Sequence, residues 1–259
     1  MAFEKLVFEK IDHETVVDTV VRQIEDLIVT GVLKEGTKLP PERELAETMD
    51  VSRQKIREAL KRLEDQNLLR VRHGEGSYIA ALTGTALSPA MIDLYARHQS
   101  AFYDYLEYRR EQEGFAAALA SERATKVDRD IILDTLEKLE LAQKNRDSKA
   151  SKEQDIKFHS VIVDASHNST LIHTMASIYE LTKRGIFYNR DYLHTIDGSG
   201  EKLLQQHKDI GMAIVEGRAE DAQIAARTHI DFVEKSFRAG HEGSKREALA
   251  KKRQALIGS

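Results

Sequence analysis

The chain contains no cysteine, and this absence excludes disulfides, thiolate metal sites and cysteine nucleophiles. Any metal site must therefore use nitrogen and oxygen ligands. No apolar run approaches the roughly 18 residues that would cross a bilayer, and the acidic residues of the opening segment MAFEKLVFEK are not typical of a signal or transit peptide. We therefore expect a cytoplasmic protein in a reducing compartment, with no membrane partner.

An overall excess of positive charge is also absent. The formal net charge is −4 over 259 residues, which argues against a non-specific nucleic-acid coat protein, because that class relies on a large positive field. The basic residues are nevertheless concentrated in the segment RQKIREALKR at 53–62, which has five basic residues against the single acid Glu58. The sequence therefore predicts a local basic surface on a protein that is not basic as a whole.

The N-terminal third has the pattern of three helices followed by a hairpin. Helices are predicted at about 14–30, from the proline pair 40–41 to about 49, and from the capping residue Ser52 onward. The break between the second and third helices is only a few residues long, as in a helix-turn-helix. Two short extended runs at 68–72 and 77–79 flank a glycine-rich turn, which predicts a β-hairpin wing.

The third helix has two different faces. Apolar residues recur at the spacing of a buried stripe at Ile56, Ala59, Leu60 and Leu63. Polar and basic residues lie opposite, at Gln54, Arg57 and Lys61, with Arg53 on the flank at the helix N-terminus. A solvated charged face is the usual interpretation of such a pattern, but the short turn before it and the hairpin after it favour a DNA-recognition helix.

From residue 89 onward no convincing strand pattern is present, and the fold class is mainly α. Helical patterns predict an antiparallel bundle of about seven helices, at about 89–97, 100–123, 128–144, 151–166, 169–190, 200–216 and 219–240. The chain is therefore divided into a winged helix-turn-helix domain (1–80), a linker (81–88), an all-helical domain (89–242) and a charged tail (243–259). We expect the tail to fray and assign it no function.

Four polar residues lie within the apolar stripes of the predicted bundle. Asp155 and His159 share an inward face at i, i+4, and His207 and His229 lie in line with apolar residues of two further helices. A hydrogen-bonded core residue is the simplest interpretation of any one histidine. Buried ionisable groups are costly, however, and mutual coordination of a metal would explain all four together. A three-histidine, one-aspartate set suits zinc as the first choice, with nickel or manganese as alternatives.

Arg109 also falls on an inward face, with Glu113 one turn later. A buried guanidinium requires a carboxylate partner, which leaves two interpretations open. One is an intrahelical Arg109–Glu113 ion pair, and the other is a bidentate clamp on an anionic ligand whose remaining oxygens reach the metal.

The sequence resembles a known family along nearly its whole length. The segment LPPERELAETMDVSRQKIREALKRLEDQNLLRVRHGEGSYI resembles the winged-helix domain of the GntR superfamily. The second domain is similar to the FadR-type (FCD) bundle through four segments, LEYRREQEGFAAALA, DIKFHSVIVDASHN, QQHKDI and RTHIDF. The combination is most similar to the branch that contains the pyruvate, lactate and glycolate regulators.

The resemblance implies roles for individual residues. Operator contacts would come from the recognition region and the wing tip, at Arg43, Arg53, Gln54, Lys55, Arg57, His73 and Gly74. A divalent metal would be held by Asp155, His159, His207 and His229, with Arg109 anchoring the effector. Gln54 and Lys55 depart from the small or hydroxyl residues often found there in the family, which leaves the operator sequence open.

These implications lead to one main hypothesis and two alternatives. We expect a homodimeric regulator that reads a palindromic operator. Repression is the first expectation, and the direction of regulation is left open. A 2-keto or 2-hydroxy acid such as pyruvate, lactate or glycolate would modulate its affinity for the operator.

A metal-dependent hydrolase or lyase is the alternative function. No separate general acid or base is expected near the cluster, however, so no catalytic residue is predicted. The chain is therefore expected not to be an enzyme. A constitutive structural DNA-binding protein would leave the cluster unexplained.

Overall fold

The computed structural model describes residues 15–82, 98–183 and 199–257, together with positions 88, 90, 91 and 94. The chain separates into two compact units between residues 84 and 85, and each is described by itself. In the part of the chain that the structure describes, no helix is both long and apolar enough to cross a membrane.

The first unit is a winged helix-turn-helix, as predicted. Its elements in order are α1 (Val16–Val29), α2 (Glu42–Met49), α3 (Arg53–Asp65), β1 (Leu69–Arg72) and β2 (Gly76–Ile79). The apolar face of α3 packs with that of α1 and with both strands in one core. The opposite face of α3 is left at the surface.

Local sequence explains where these helices begin and end. Thr15 and Asp18 form a capping box at the start of α1, in which each side chain accepts a hydrogen bond from the other's backbone amide. Asp50 ends α2 in the left-handed conformation, at φ 51°. Ser52 then caps α3 by accepting a hydrogen bond from the amide of Lys55.

The hairpin is antiparallel, and its register pairs Leu69 with Ile79 and Arg72 with Gly76. Gly74 has a φ of 75° in the turn, a conformation that is costly for residues with a Cβ. The turn therefore projects as a tight, exposed tip beyond the core.

The second unit is an all-helical bundle. Within residues 98–183 and 199–257 it comprises α4 (Gln99–Arg123), α5 (Lys126–Lys144), α6 (Ser148–Ala165), α7 (Ser169–Lys183), α8 (Ser199–Val215) and α9 (Ala219–Ile257). The predicted helix at 89–97 lies largely outside the described residues, as does the part of the 169–190 pattern beyond residue 183. The predicted helices at 100–123, 128–144, 151–166 and 200–216 are present within a few residues of their expected bounds, whereas the helix predicted at 219–240 begins as expected but is longer.

The C-terminal segment corrects one expectation. The tail from Gly243 was expected to fray, but α9 continues as helix through Ile257. Alanine, leucine, lysine and arginine dominate this segment, and these residues have high helix propensity. Because α9 is already nucleated by its packing in the bundle, each added residue extends it without a new nucleation cost.

Helix α4 lies at the centre of the bundle and contacts α6, α8 and α9. Small residues make this possible, since Ala116, Ala117 and Ala120 are fully buried in the main apolar core. The inward faces of α6, α8 and α9 consequently converge beside α4, and the polar residues predicted from the sequence lie there.

Candidate metal centre and nucleic-acid interface

Three buried histidines from three helices converge in the bundle. His159 of α6, His207 of α8 and His229 of α9 each offer a nitrogen, and these nitrogens all lie within 4.8 Å of one another. The imidazole centroids are 4.4 Å apart for His207 and His229, and 5.3 Å apart for His159 and either of the other two. Residues 70 positions apart in sequence are thus brought to one point.

Asp155 lies beside this cluster, one helical turn before His159. Its Oδ1 is 3.3 Å from Nε2 of His207, and its side chain is 4% exposed. Two ligands each about 2.1 Å from one ion stand about 3.0–3.4 Å apart at bond angles near 90–110°. The Asp155–His207 spacing therefore fits two ligands of a single cation. Asp155 thus adjoins the three-histidine cluster through His207, and these four residues are called the constellation.

Glu113 of α4 connects the cluster to Arg109. Its Oε2 accepts a hydrogen bond from Nδ1 of His159 at 2.8 Å, and its Oε1 accepts one from Nε of Arg109 at 2.7 Å. The intrahelical ion pair, one of the two interpretations of Arg109, is thus present in this structure. Glu113 is therefore a buried carboxylate in contact with His159, a contact that helical spacing alone does not predict.

Electrostatics fix the charge states of these buried groups. Burial alone would raise the pKa of Glu113, but the guanidinium of Arg109 and the ring of His159 outweigh it and lower that pKa to about 2. Burial, reinforced by His207 and His159, lowers the pKa of His229 well below its usual value. His229 is therefore a neutral imidazole at neutral pH, which is the metal-binding form.

Two tyrosines enclose Arg109, and sequence reasoning missed both. The guanidinium lies 5.7 Å from the ring centroids of Tyr105 and Tyr179. Burial raises the pKa of Tyr179 well above its ordinary value, so its hydroxyl stays protonated. Tyr105 lies one turn before Arg109 on α4 and could have been found by helical spacing. Tyr179 comes from α7 and required the tertiary structure.

A small cavity adjoins the constellation. Its polar lining consists of Glu113 and His159, and its interior has room for about one water molecule. Ligand pockets are typically about 300–1,000 Å³, so a carboxylate ligand would need the bundle to open further at this point.

The exposed face of α3 carries the residues predicted to read DNA. Arg53, Gln54, Lys55 and Arg57 are all exposed at its N-terminal half. Arg57 donates from Nε and Nη2 to the carboxylate of Glu42 in α2, with the shortest distance 2.9 Å. The Arg57 side chain remains 68% exposed, so Glu42 orients it without burying it.

The other predicted DNA contacts are also at the surface. Arg43 lies on α2 with its Nε 3.7 Å from Oε1 of Glu47, and that ion pair is highly exposed. His73 and Gly74 are exposed in the hairpin turn. Each predicted residue of the first unit is therefore accessible to a nucleic acid.

A helix-turn-helix with an exposed basic helix and a wing, followed by a helical bundle that buries a histidine cluster, defines a DNA-binding protein with a second, all-helical domain. Models of two families match these parts: "Bacterial regulatory proteins, gntR family" over residues 16–79 and "FCD domain" over residues 104–232. The chain belongs to the GntR family and is of its FCD, or FadR-type, class.

Several curated relatives cover most of the chain. The Glc operon transcriptional activator of Escherichia coli K12 is 31% identical over 231 residues, which are 88% of this chain and 91% of the relative. The putative L-lactate dehydrogenase operon regulatory protein of the same strain is 30% identical, covering 89% of this chain and 90% of the relative. A solved structure, Streptococcus agalactiae GntR, is 28% identical with a TM-score of 0.51, covering 85% of this chain and all of that one.

The families and relatives identify the chain as a DNA-binding transcriptional regulator and not an enzyme. The chemistry of Glu113 agrees with this, because a carboxylate with a pKa near 2 that is held by Arg109 is a poor proton donor or acceptor at neutral pH. The hydrolase or lyase alternative is therefore not favoured.

Proposed function

We propose that this regulator is a homodimer that binds a palindromic operator and changes its operator affinity when a small carboxylate binds at a metal-containing site in the bundle. The observation that carries the proposal is the buried constellation of three histidines and one aspartate inside a DNA-binding regulator. DNA binding itself requires none of these groups, so a second, ligand-sensing function accounts for them.

The residues fit a divalent cation. Asp155, His159, His207 and His229 supply three nitrogens and one carboxylate oxygen, a donor set suited to zinc first, and also to nickel or manganese. Glu113 would act as the outer carboxylate that fixes the ring of His159, an arrangement that is common around metal-binding histidines. A bound cation would supply a Lewis-acidic centre for the oxygens of a carboxylate ligand.

Arg109 would provide the second anchor for the effector. Its guanidinium is 4% exposed and already lies against Glu113, so an incoming carboxylate would share or replace that partner. The change would pass directly to His159, because Glu113 contacts both residues. This exchange supplies a physical route by which an effector would move α4 relative to α6.

The proposed ligand class is a 2-keto or 2-hydroxy acid such as pyruvate, lactate or glycolate. The buried guanidinium of Arg109 can pair with one carboxylate, which favours a compact monocarboxylate. One relative is named for the L-lactate dehydrogenase operon, which supports a hydroxy acid of this size.

On the DNA side, we propose that Arg53, Arg57 and Arg43 contact the operator, with Gln54 and Lys55 at the head of α3. Arginine paired with a guanine edge contributes about 1–3 kcal/mol of discrimination. His73 and Gly74 would enter the minor groove at the wing tip. Dimerisation would present two copies of α3 to two half-sites about one helical turn apart.

Metal analysis of purified protein tests the sensor. A His207→Ala/His229→Ala double variant should lose the bound cation, while the wild type retains about one per chain. His167→Ala/His173→Ala is a matched control, since it also removes two histidines but neither belongs to the constellation. Equal metal content in the wild type and the first variant would refute the site.

Competition binding tests the DNA interface, using an operator selected from random DNA. Arg57→Ala should reduce the ratio of specific to non-specific affinity by about ten-fold or more, as expected when a base contact is removed. Lys61→Ala, further along α3, should weaken both affinities equally if it contacts only phosphate. An unchanged ratio for Arg57→Ala would refute its role in recognition.

A further inference from the structure

The C-terminal part of α9 extends beyond the packed bundle. Among the side chains of this helix that the structure describes, Phe237 is the last that packs against an apolar core cluster. Every residue from Arg246 to Gln254 is exposed, including Leu249 at 51%. The helix nevertheless continues to Ile257, and the exposed stretch 246–254 alone spans nine residues, roughly 13 Å at 1.5 Å per residue.

This extension differs sharply in charge from the rest of the protein. From residue 243 to the end it has five basic residues and one acidic residue, a net charge of +4. The whole chain carries −4, so the remaining residues carry −8. A strongly cationic segment on an otherwise acidic regulator indicates a polyanionic partner.

The cations are also arranged on one side of the helix. At 100° per residue, Arg246, Lys252 and Arg253 fall within an arc of about 120°. Lys251 lies on the other side, where its Nζ is 2.8 Å from Oε1 of Glu247. The basic face, defined here as Arg246, Lys252 and Arg253, thus stands apart from the ion-paired Lys251.

We propose that this basic face binds the phosphate backbone of DNA and adds a sequence-independent contribution to operator binding. Double-stranded DNA carries about one negative charge per 1.7 Å of axis, which is dense enough to engage all three cations. Arginine and lysine at this spacing offer charge-assisted hydrogen bonds to phosphate oxygens. The partner is one that a transcriptional regulator necessarily encounters.

Two other binding partners would fit the basic face of α9 less well than DNA. A second copy of the same helix would place like charges opposite each other, because the basic face surrounds Leu249, and this is unfavourable for self-association. A membrane surface would require a separate apolar face, whereas Leu249 lies within the basic arc. A purely solvated helix would not need three of its cations on one side.

The test measures DNA affinity as a function of salt for full-length proteins. An Arg246→Gln/Lys252→Gln/Arg253→Gln variant removes the basic face while keeping residues of good helix propensity. The control Lys126→Gln/Lys138→Gln/Lys149→Gln makes the same charge change at exposed positions elsewhere on the bundle. Circular dichroism and size-exclusion chromatography verify that both variants keep the helix content and oligomeric state of the wild type.

We expect the slope of log K against log salt concentration to become shallower by about 0.9 for each phosphate that the first variant no longer neutralises. Specific and non-specific affinities should fall by the same factor, and the control should match the wild type. Equal slopes in the wild type and both variants would overturn the proposal, as would equal changes in the two variants. A change of oligomeric state with an unchanged slope would assign the face to a second copy and also overturn it.

Discussion

The buried ion pair between Arg109 and Glu113 leads to a quantitative prediction about stability. Both side chains are almost completely buried, at 4% and 6% exposed. Removing Glu113 alone leaves the guanidinium without its carboxylate in a low-dielectric environment, which costs about 3–5 kcal/mol. Replacing both residues by apolar ones of similar size removes the uncompensated charge. We therefore expect Arg109→Met/Glu113→Leu to be more stable than Glu113→Ala by about 2 kcal/mol.

Urea denaturation in the presence of a chelator measures these differences, so that metal binding does not contribute. A loss of about 3–5 kcal/mol is a large part of a typical stability of about 5–15 kcal/mol. Glu113→Gln, which preserves volume, provides a milder variant if Glu113→Ala fails to fold. The reasoning is refuted if the double variant is destabilised by the sum of the two single substitutions, because Arg109 and Glu113 would then act independently.

Two further predictions concern packing and capping. A Cβ at Gly211 would lie 2.5 Å from Cδ1 of Leu136, so Gly211→Ala should destabilise the bundle by about 1–3 kcal/mol. A Cβ at Gly243 would have nothing within 4 Å, so Gly243→Ala should stabilise α9 by up to about 1 kcal/mol. Thermal unfolding of the two variants checks this contrast, and equal effects on stability would contradict it. Hydrogen bonds from the side chain and then the backbone of Thr15 lower the pKa of Asp18 from 3.8 to about 2. The stability that this cap contributes is therefore present above about pH 4 and is lost as pH falls through 2. The urea midpoint should fall less steeply from pH 5 to 2 in Asp18→Asn than in the wild type, and an equal fall in both would contradict this role of Asp18.

The winged helix could be predicted from sequence because its signals are local. Ser52 caps α3, a proline pair precedes α2, and glycine marks the wing turn. These features depend on residues a few positions apart. The burial of the four candidate ligands was also predictable, since helical spacing places Asp155 and His159 on one inward face without reference to other helices.

Contacts between residues that are far apart in the sequence were harder to predict. The link from Arg109 through Glu113 to His159 joins α4 to α6, and helical periodicity does not determine which inward residues meet. Tyr179 reaches Arg109 from α7 for the same reason. The helical tail was not predicted for a different reason. Its many charged residues suggested fraying, although most of its residues have high helix propensity.

On the proposed function, occupancy of the bundle site is coupled to DNA binding. Operator affinity of the metal-loaded wild type should be measured by fluorescence anisotropy with and without saturating pyruvate, lactate and glycolate. We expect at least one acid to change the affinity by about 5–150-fold, the usual range for coupling between two sites, and to have no effect on Arg109→Met. Unchanged affinity with every acid, or the same change in Arg109→Met, would contradict the account.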